Sequence, residues 1–245
     1  MTLNTAPLQT LNAEFADLML DEALIALRQR FDGRIAFSTS LGLEDQVITD
    51  AIFRNDLDIE VFTLDTGRNF SETYDVLDVT RKKYGQPIRA YYPQTEAIEH
   101  YVTLKGINAI YESVGNRKEC CYIRKIEPLN RALQGVQVWI TGLRAAQSAY
   151  RADMNLFERD EQRDLLKFNP LLHAVTNELW GDVRKHDIPY NQLHDQFYPS
   201  IGCAPCTRAV AAGEDERSGR WWWEAHNQEC GLHDGTRKPQ EQAAV

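Results

Sequence analysis

Five cysteines carry most of the chemistry available to this 245-residue chain. Four form two close pairs, Cys120-Cys121 and Cys203-Ala204-Pro205-Cys206, and the fifth stands in Glu229-Cys230-Gly231-Leu232-His233. An odd, small number of cysteines in a reducing compartment points to ligands or a nucleophile rather than disulfides. Four thiolates can hold zinc or an iron–sulfur cluster. Zinc sites usually use C-x₂₋₄-C, because one ion must gather both sulfurs at tetrahedral angles, whereas adjacent cysteines on a helix point about 100° apart. A cubane is wider and can take adjacent thiolates on different irons. On spacing alone a [4Fe–4S] cluster, a zinc ion and unligated thiols all stay open. The Cys203–Cys206 pair also has the C-x-x-C form of a redox dithiol, but it follows the turn-rich Tyr198-Pro199-Ser200-Ile201-Gly202, and a dithiol role leaves Cys120 and Cys121 unexplained. Cys230 lies beside a polar tail, not in the apolar periodic segment a structural cysteine would favour. It is therefore a candidate nucleophile, with His233 three residues on and Arg217 and Arg220 shortly before it.

Three further motifs lie where strands are expected to end. Ser38-Thr39-Ser40-Leu41-Gly42-Leu43-Glu44-Asp45 runs from a strand into a helix, and its hydroxyls and glycine suit an anion at a helix N-terminus. It lacks the P-loop lysine and is not G-x-G-x-x-G, so neither nucleotide hydrolysis nor dinucleotide binding follows from it. Leu64-Asp65-Thr66-Gly67 places a carboxylate at a tight turn, where Asp65 could accept from a ribose hydroxyl or an adenine amine. Thr141-Gly142-Leu143-Arg144 delivers an arginine to the same edge. Each alone reads equally well as an ordinary turn or a solvated arginine; together they suggest one ligand site beyond the carboxyl ends of a parallel sheet.

The elements that must position these loops are legible from periodicity. Apolar residues from Phe15 to Leu27 recur at helical spacing, with Asn12 as a cap and an end near Asp32-Gly33. Strands are expected at 34–38, 59–64, 88–92, 136–141 and 165–168, with helices at 44–54, 71–84, about 121–133 and 176–186. This alternation indicates βαβ units and an α/β sheet covered by helices on both faces. The sequence divides into a helical segment 1–33, an α/β domain 34–216 and a C-terminal segment 217–245, with a polar tail after Asp234 read as disordered. His100, His173, His186 and His194 show no ligand spacing and read as structural.

With 27 Lys+Arg against 36 Asp+Glu the net charge is −9, which argues against nucleic acid as a partner. No apolar run approaches the roughly 20 residues a membrane span needs, and the N-terminus shows no targeting pattern, so a cytoplasmic protein is expected.

In its ordered series of an S-x-S-type loop, L-D-T-G, T-G-L-R, C-C, C-x-x-C, R-x-G-R-W and E-C-G-L-H, from about Phe37 to His233, the sequence resembles the assimilatory sulfonucleotide reductases, most closely the iron–sulfur adenosine 5′-phosphosulfate reductases. The resemblance implies an adenine-nucleotide α-hydrolase-like fold and a [4Fe–4S] cluster on Cys120, Cys121, Cys203 and Cys206. It further implies Cys230 as the attacking thiol, Lys125 near cluster and sulfate, and Arg217, Arg220 and His233 holding the phosphosulfate. Thioredoxin or glutaredoxin would serve as reductant, and a homo-oligomer is compatible with the sequence. Gln228 stands where such proteins often have lysine. Trp221, Trp222 and Trp223 read first as core packing, with covering the cluster or docking thioredoxin as the alternative. Adenosine 5′-phosphosulfate is expected over its 3′-phosphorylated form, because 38–53 carries no Lys or Arg and Glu44 and Asp45 would repel a further dianion. Thiol activation is not sufficient for such chemistry. Lowering a thiol pKa from about 8.5 to about 6.5 raises the thiolate fraction at pH 7 from roughly 3% to roughly 75%, yet reduced nucleophilicity leaves only about a threefold net gain. Cations against the anionic substrate must supply more.

Overall fold

The computed structural model describes residues 8–148, 151–224 and 232. Ile35, Phe37, Val138, Ile140, Leu166 and Phe168 project from one face of a sheet, and Ala36, Phe62, Trp139 and Leu165 from the other. Each strand therefore buries alternate residues in opposite directions, as a sheet covered on both faces requires. Six strands run in the order β3-β2-β1-β4-β6-β5: β1 Arg34–Thr39, β2 Glu60–Leu64, β3 Arg89–Tyr91, β4 Val136–Ile140, β5 Phe157–Asp160 and β6 Leu165–Phe168. All neighbours pair in parallel except β5, which closes one edge antiparallel to β6.

Helices α1 Leu8–Phe15, α2 Leu20–Arg30, α3 Leu43–Arg54 and α8 Thr176–His186 supply the first face, and α7 Glu127–Ala132 the second. Helix α4 Ser71–Tyr84 ends on Gly85 in the left-handed conformation, with the Gly85 amide on the Arg81 carbonyl, as glycine just past a helix end favours.

The expected single N-terminal helix is two. Asn12 is not its cap: it lies inside α1, where its side-chain amide accepts from the Phe157 amide (2.9 Å) and donates to the Phe157 carbonyl (3.2 Å), covering the β5 edge. The helix expected at about 121–133 is α6 Val114–Cys121, a π-helical turn Tyr122–Ile126 and α7. Helix α5 Thr95–Lys105 and strand β5 were not expected. Among the described residues no helix is long and apolar enough to cross a membrane.

A third, smaller core lies away from the sheet, where Tyr101, Ala109 and Ile110 pack with Cys120, Cys203, Cys206 and Trp221. Main-chain bonds tie it to the site loops. The Ala204 amide donates to the Arg68 carbonyl (2.8 Å) and the Trp221 amide to the Cys206 carbonyl (3.2 Å).

Candidate active site

The loops after β1, β2 and β4 converge on a cavity of about 200 Å³, where an open parallel sheet places its ligands. Of the expected substrate residues, Ser38, Thr39, Ser40, Gly42, Asp45, Leu64, Thr66, Thr141 and Gly142 line it, together with Lys125, Arg217, Arg220 and Cys203. Leu41, Asp65, Gly67 and Arg144 do not. Leu41 is buried beneath the loop. Asp65 is occupied in its own turn, where Oδ1 accepts from the Gly67 amide (2.8 Å) and the Tyr74 hydroxyl (2.9 Å). Gly67 allows that turn through its φ of +68°.

The β1–α3 loop is held by its own contacts. The Trp139 indole N–H donates to the Ser38 hydroxyl (2.8 Å), the Leu41 amide to Thr39 Oγ1 (3.0 Å), and both the amide and the hydroxyl of Ser40 to Asp45 Oδ2 (2.6 Å each). Burial pushes Asp45 up to about 6 against the two Ser40 hydrogen bonds that favour its ionised form. Gly142 is needed beside it: a Cβ there would stand 2.0 Å from Asp45 Oδ1.

Arg144 was expected to face the ligand. Instead its guanidinium is buried between two carboxylates, with Nε 2.7 Å from Glu44 Oε1 and Nη2 3.1 Å from Glu216 Oε2. Both of those glutamates line the cavity. Arg220 also lies buried at the wall. It stacks 4.7 Å over the Trp221 ring, and among the described residues no carboxylate pairs with it. A buried guanidinium in that state demands an anion.

Arg151 and His194 are among the lining residues that belong to none of the sequence motifs. Arg151 reaches the cavity from the loop before β5, putting a cation beside residues 38–53, which carry no Lys or Arg. His194 lines it too, with Nδ1 2.9 Å from the Tyr198 carbonyl. A carbonyl only accepts, so Nδ1 carries the proton, and burial holds this imidazole below its ordinary pKa.

All four paired cysteines are buried and line one further cavity with Arg68, Arg117, Arg124 and Lys125. Lys125 and Cys203 line both cavities. The π-helical turn matters here, since such a turn inserts a residue into a helix and re-aims the side chains after it, and Lys125 lies within it. Burial raises the Cys120 thiol and pushes Cys206 up to about 11. Burial also raises Cys203, but Lys125, the Thr66 hydroxyl, Arg220 and Arg124 together outweigh it and leave that thiol below its ordinary value. Among the described residues no group of three or more His, Cys, Asp or Glu side chains is gathered to hold a metal ion. Cys230 and His233 lie outside the described residues. Leu232, between them in sequence, lines the strand-end cavity and packs on the core face that carries Trp139.

Trp221 is buried in the thiol core, Trp222 is exposed, and Trp223 packs edge-on against Tyr111 with ring centroids 4.6 Å apart. Packing thus accounts for two of the three tryptophans.

A predominantly parallel sheet covered by helices on both faces, with a cavity at its strand ends, defines an α/β protein. Residues 34–209 match the phosphoadenosine phosphosulfate reductase domain, and the chain belongs to that family. It is 45% identical over 240 residues to the adenosine 5′-phosphosulfate reductase of Burkholderia cepacia, covering 97% of this chain and 96% of the relative. It is 50% identical over 211 residues to the enzyme of that name from Allochromatium vinosum, covering 86% and 82% respectively. Among solved structures, the phosphoadenylyl-sulfate reductase of Candida auris, in complex with phosphate, superposes with a TM-score of 0.71 at 25% identity, covering 83% of this chain and 97% of that one. Yeast FAD synthetase shares the fold at a TM-score of 0.52 and 13% identity, covering 84% of this chain and 70% of that one.

Proposed function

We propose that this protein reduces adenosine 5′-phosphosulfate to sulfite and AMP in sulfate assimilation toward cysteine, in the cytoplasm. The observation that carries the reading is that Leu232, inside Glu229-Cys230-Gly231-Leu232-His233, lines the same cavity as Lys125, Arg217 and Arg220. Cys230 stands two residues before Leu232 in the sequence, and the proposal sets its thiol against an anion held by those cations. Relatives named for this activity at 45 and 50% identity support it.

The Cys230 thiolate attacks the sulfate sulfur. The bond from sulfur to the bridging phosphate oxygen breaks, AMP leaves with that electron pair, and an S-sulfocysteine remains. A thiol of reduced thioredoxin or glutaredoxin then attacks the Cys230 sulfur and releases sulfite. Its second thiol resolves the mixed disulfide, so the reductant leaves oxidised by two electrons and Cys230 returns as a thiol. Lys125, Arg217, Arg220 and His233 oppose the repulsion between thiolate and anionic substrate and stabilise charge gathering on the leaving nucleotide. The neutral His194 presents Nε2 as an acceptor, and Ser38, whose hydroxyl oxygen accepts from the Trp139 indole, keeps its own O–H to donate at the strand end.

Cys120, Cys121, Cys203 and Cys206 would hold a [4Fe–4S] cluster. The fit rests on the donor set: four buried thiols at one cavity, ringed by Arg68, Arg117, Arg124 and Lys125, offer thiolates together with the positive charge a dianionic cluster needs. A cubane spreads its ligands more widely than a single ion does, in keeping with thiols that share a cavity without forming a mononuclear site. When bound, the cluster would supply electrostatic influence at the shared wall of Cys203 and Lys125.

The unphosphorylated nucleotide remains the proposed substrate, with the 3′-phosphorylated form or dual use as the second reading. Arg151 favours that second reading, because it brings to the cavity a cation that the charge argument from 38–53 had omitted. The test is release of sulfite and AMP by anaerobically purified protein with reduced thioredoxin, comparing kcat/KM for the two nucleotides. No sulfite from either nucleotide contradicts the proposal, and a higher kcat/KM for the phosphorylated form contradicts the preference.

A further inference from the structure

The cavity proposed to take an anionic nucleotide is itself lined by the carboxylates of Glu44 and Glu216, whose side chains are 13% and 39% exposed. Behind them Arg144, 3% exposed and absent from the lining, spans both through Nε and Nη2. The arrangement is built rather than incidental. The Gln147 amide donates to the same Glu44 oxygen at 3.0 Å, the Arg144 main-chain amide donates to Gln147 Oε1 at 3.2 Å, and the Thr176 hydroxyl donates to the other Glu216 oxygen at 3.2 Å. Glu216 is also the residue immediately before Arg217.

From this we infer that Arg144 is a positioning residue that acts on the substrate through Glu44 and Glu216. Without touching the nucleotide, it offsets one of the two negative charges that the wall carboxylates would otherwise turn on the phosphate, and it keeps Glu216, and with it Arg217, at the wall. Coulomb energy falls only as the inverse of distance, so a buried charge one residue behind a wall still counts where water is scarce. The inference rests on the reading that an anionic adenine nucleotide occupies the cavity, and the two can fail separately.

The test is titration of the protein with AMP and with adenosine, which differ in the charged group. Arg144→Met is expected to weaken AMP about tenfold, the effect of one uncompensated charge at an effective dielectric near 20, while adenosine changes less than about twofold. Adding Glu216→Gln to Arg144→Met is expected to recover most of the loss, and Glu216→Gln alone to tighten AMP about threefold. A merely structural arginine would weaken both ligands alike and would not be rescued by removing a carboxylate. Equal losses for AMP and adenosine, or an unrescued double variant, overturn the inference. If Arg144→Met does not fold, Glu216→Gln decides: unchanged or weaker AMP binding overturns it. Wild-type protein that binds neither ligand overturns the functional reading and this inference with it.

Discussion

The thiol of Cys203 lies 3.3 Å from the hydroxyl of Thr66. Thr66 belongs to the strand-end loop and lines the strand-end cavity, whereas Cys203 begins the C-x-x-C pair. Arg124 Nη1 donates to the Thr66 carbonyl at 2.6 Å, binding the same loop to the helical turn after Cys121. The thiol cavity and the strand-end cavity therefore share a wall, which Cys203 and Lys125 line on both sides.

Protein purified without oxygen should be brown, with about four irons and four acid-labile sulfides per chain. Cys203→Ser should lose iron and, through the Thr66 contact, nucleotide affinity as well. Metal analysis giving one zinc and no iron or sulfide would contradict the cluster assignment.

Arg220→Met should lower nucleotide affinity by about 10- to 100-fold, the range of a lost charge-assisted interaction of about 1.5–3 kcal/mol. Methionine keeps apolar contact with Trp221, so the melting temperature should change little. The check is KM and Kd against thermal stability, and a large fall in stability with unchanged affinity would assign Arg220 to packing instead.

How much of this was legible follows from where the signal lies. Helices α4 and α8 and strands β1, β2, β4 and β6 announce themselves through period and terminal residues. Helix α5 does not, because Tyr101 is its one buried residue and leaves no apolar stripe. Strand β5 reads Phe157-Glu158-Arg159-Asp160 and is fixed by pairing with β6 and by Asn12, not by composition. Exposed Leu18 and Met19 bridge the gap between α1 and α2 and make one helix of two in the apolar pattern. At the site, motif residues carried their own signature. The burial of Arg144 between Glu44 and Glu216 left no mark in the sequence, because these partners lie 100 and 72 residues away. Arg151 and His194 come from segments with no period, and nothing local marks them.

Asp45 links the site to pH. Its pKa is raised to about 6 from an ordinary 3.8, so the folded protein binds this proton more tightly than the unfolded chain does. The contribution is fully present below pH 3.8 and is lost as pH rises through about 6. Asp45→Asn should therefore gain stability over wild type as pH rises from 4 to 7, by an amount on the order of 2–3 kcal/mol. Denaturant melts of both proteins across that range check it, and a difference independent of pH would show that Asp45 is not protonated in the folded state.

The buried pair of Arg117 and Glu224, 2.7 Å apart and with side chains 0% and 4% exposed, joins helix α6 to the end of the Trp221–Trp223 run. Removing Glu224 alone leaves Arg117 charged and buried, and Glu224→Leu should cost about 3–5 kcal/mol. Replacing both, Arg117→Met with Glu224→Leu, should recover most of that loss. Chemical denaturation of the three proteins tests this, and additive losses would contradict it.

The central claim is that Cys230 attacks the substrate sulfur. Wild-type protein, with its cysteines reduced and then freed of reductant, is incubated with ³⁵S-labelled adenosine 5′-phosphosulfate, digested, and mapped by mass spectrometry. One labelled sulfonate per chain on the peptide containing Cys230, discharged as sulfite when reduced thioredoxin is added, is the predicted result. Label on Cys120, Cys121, Cys203 or Cys206, or sulfite formed by a Cys230→Ser variant, would contradict it.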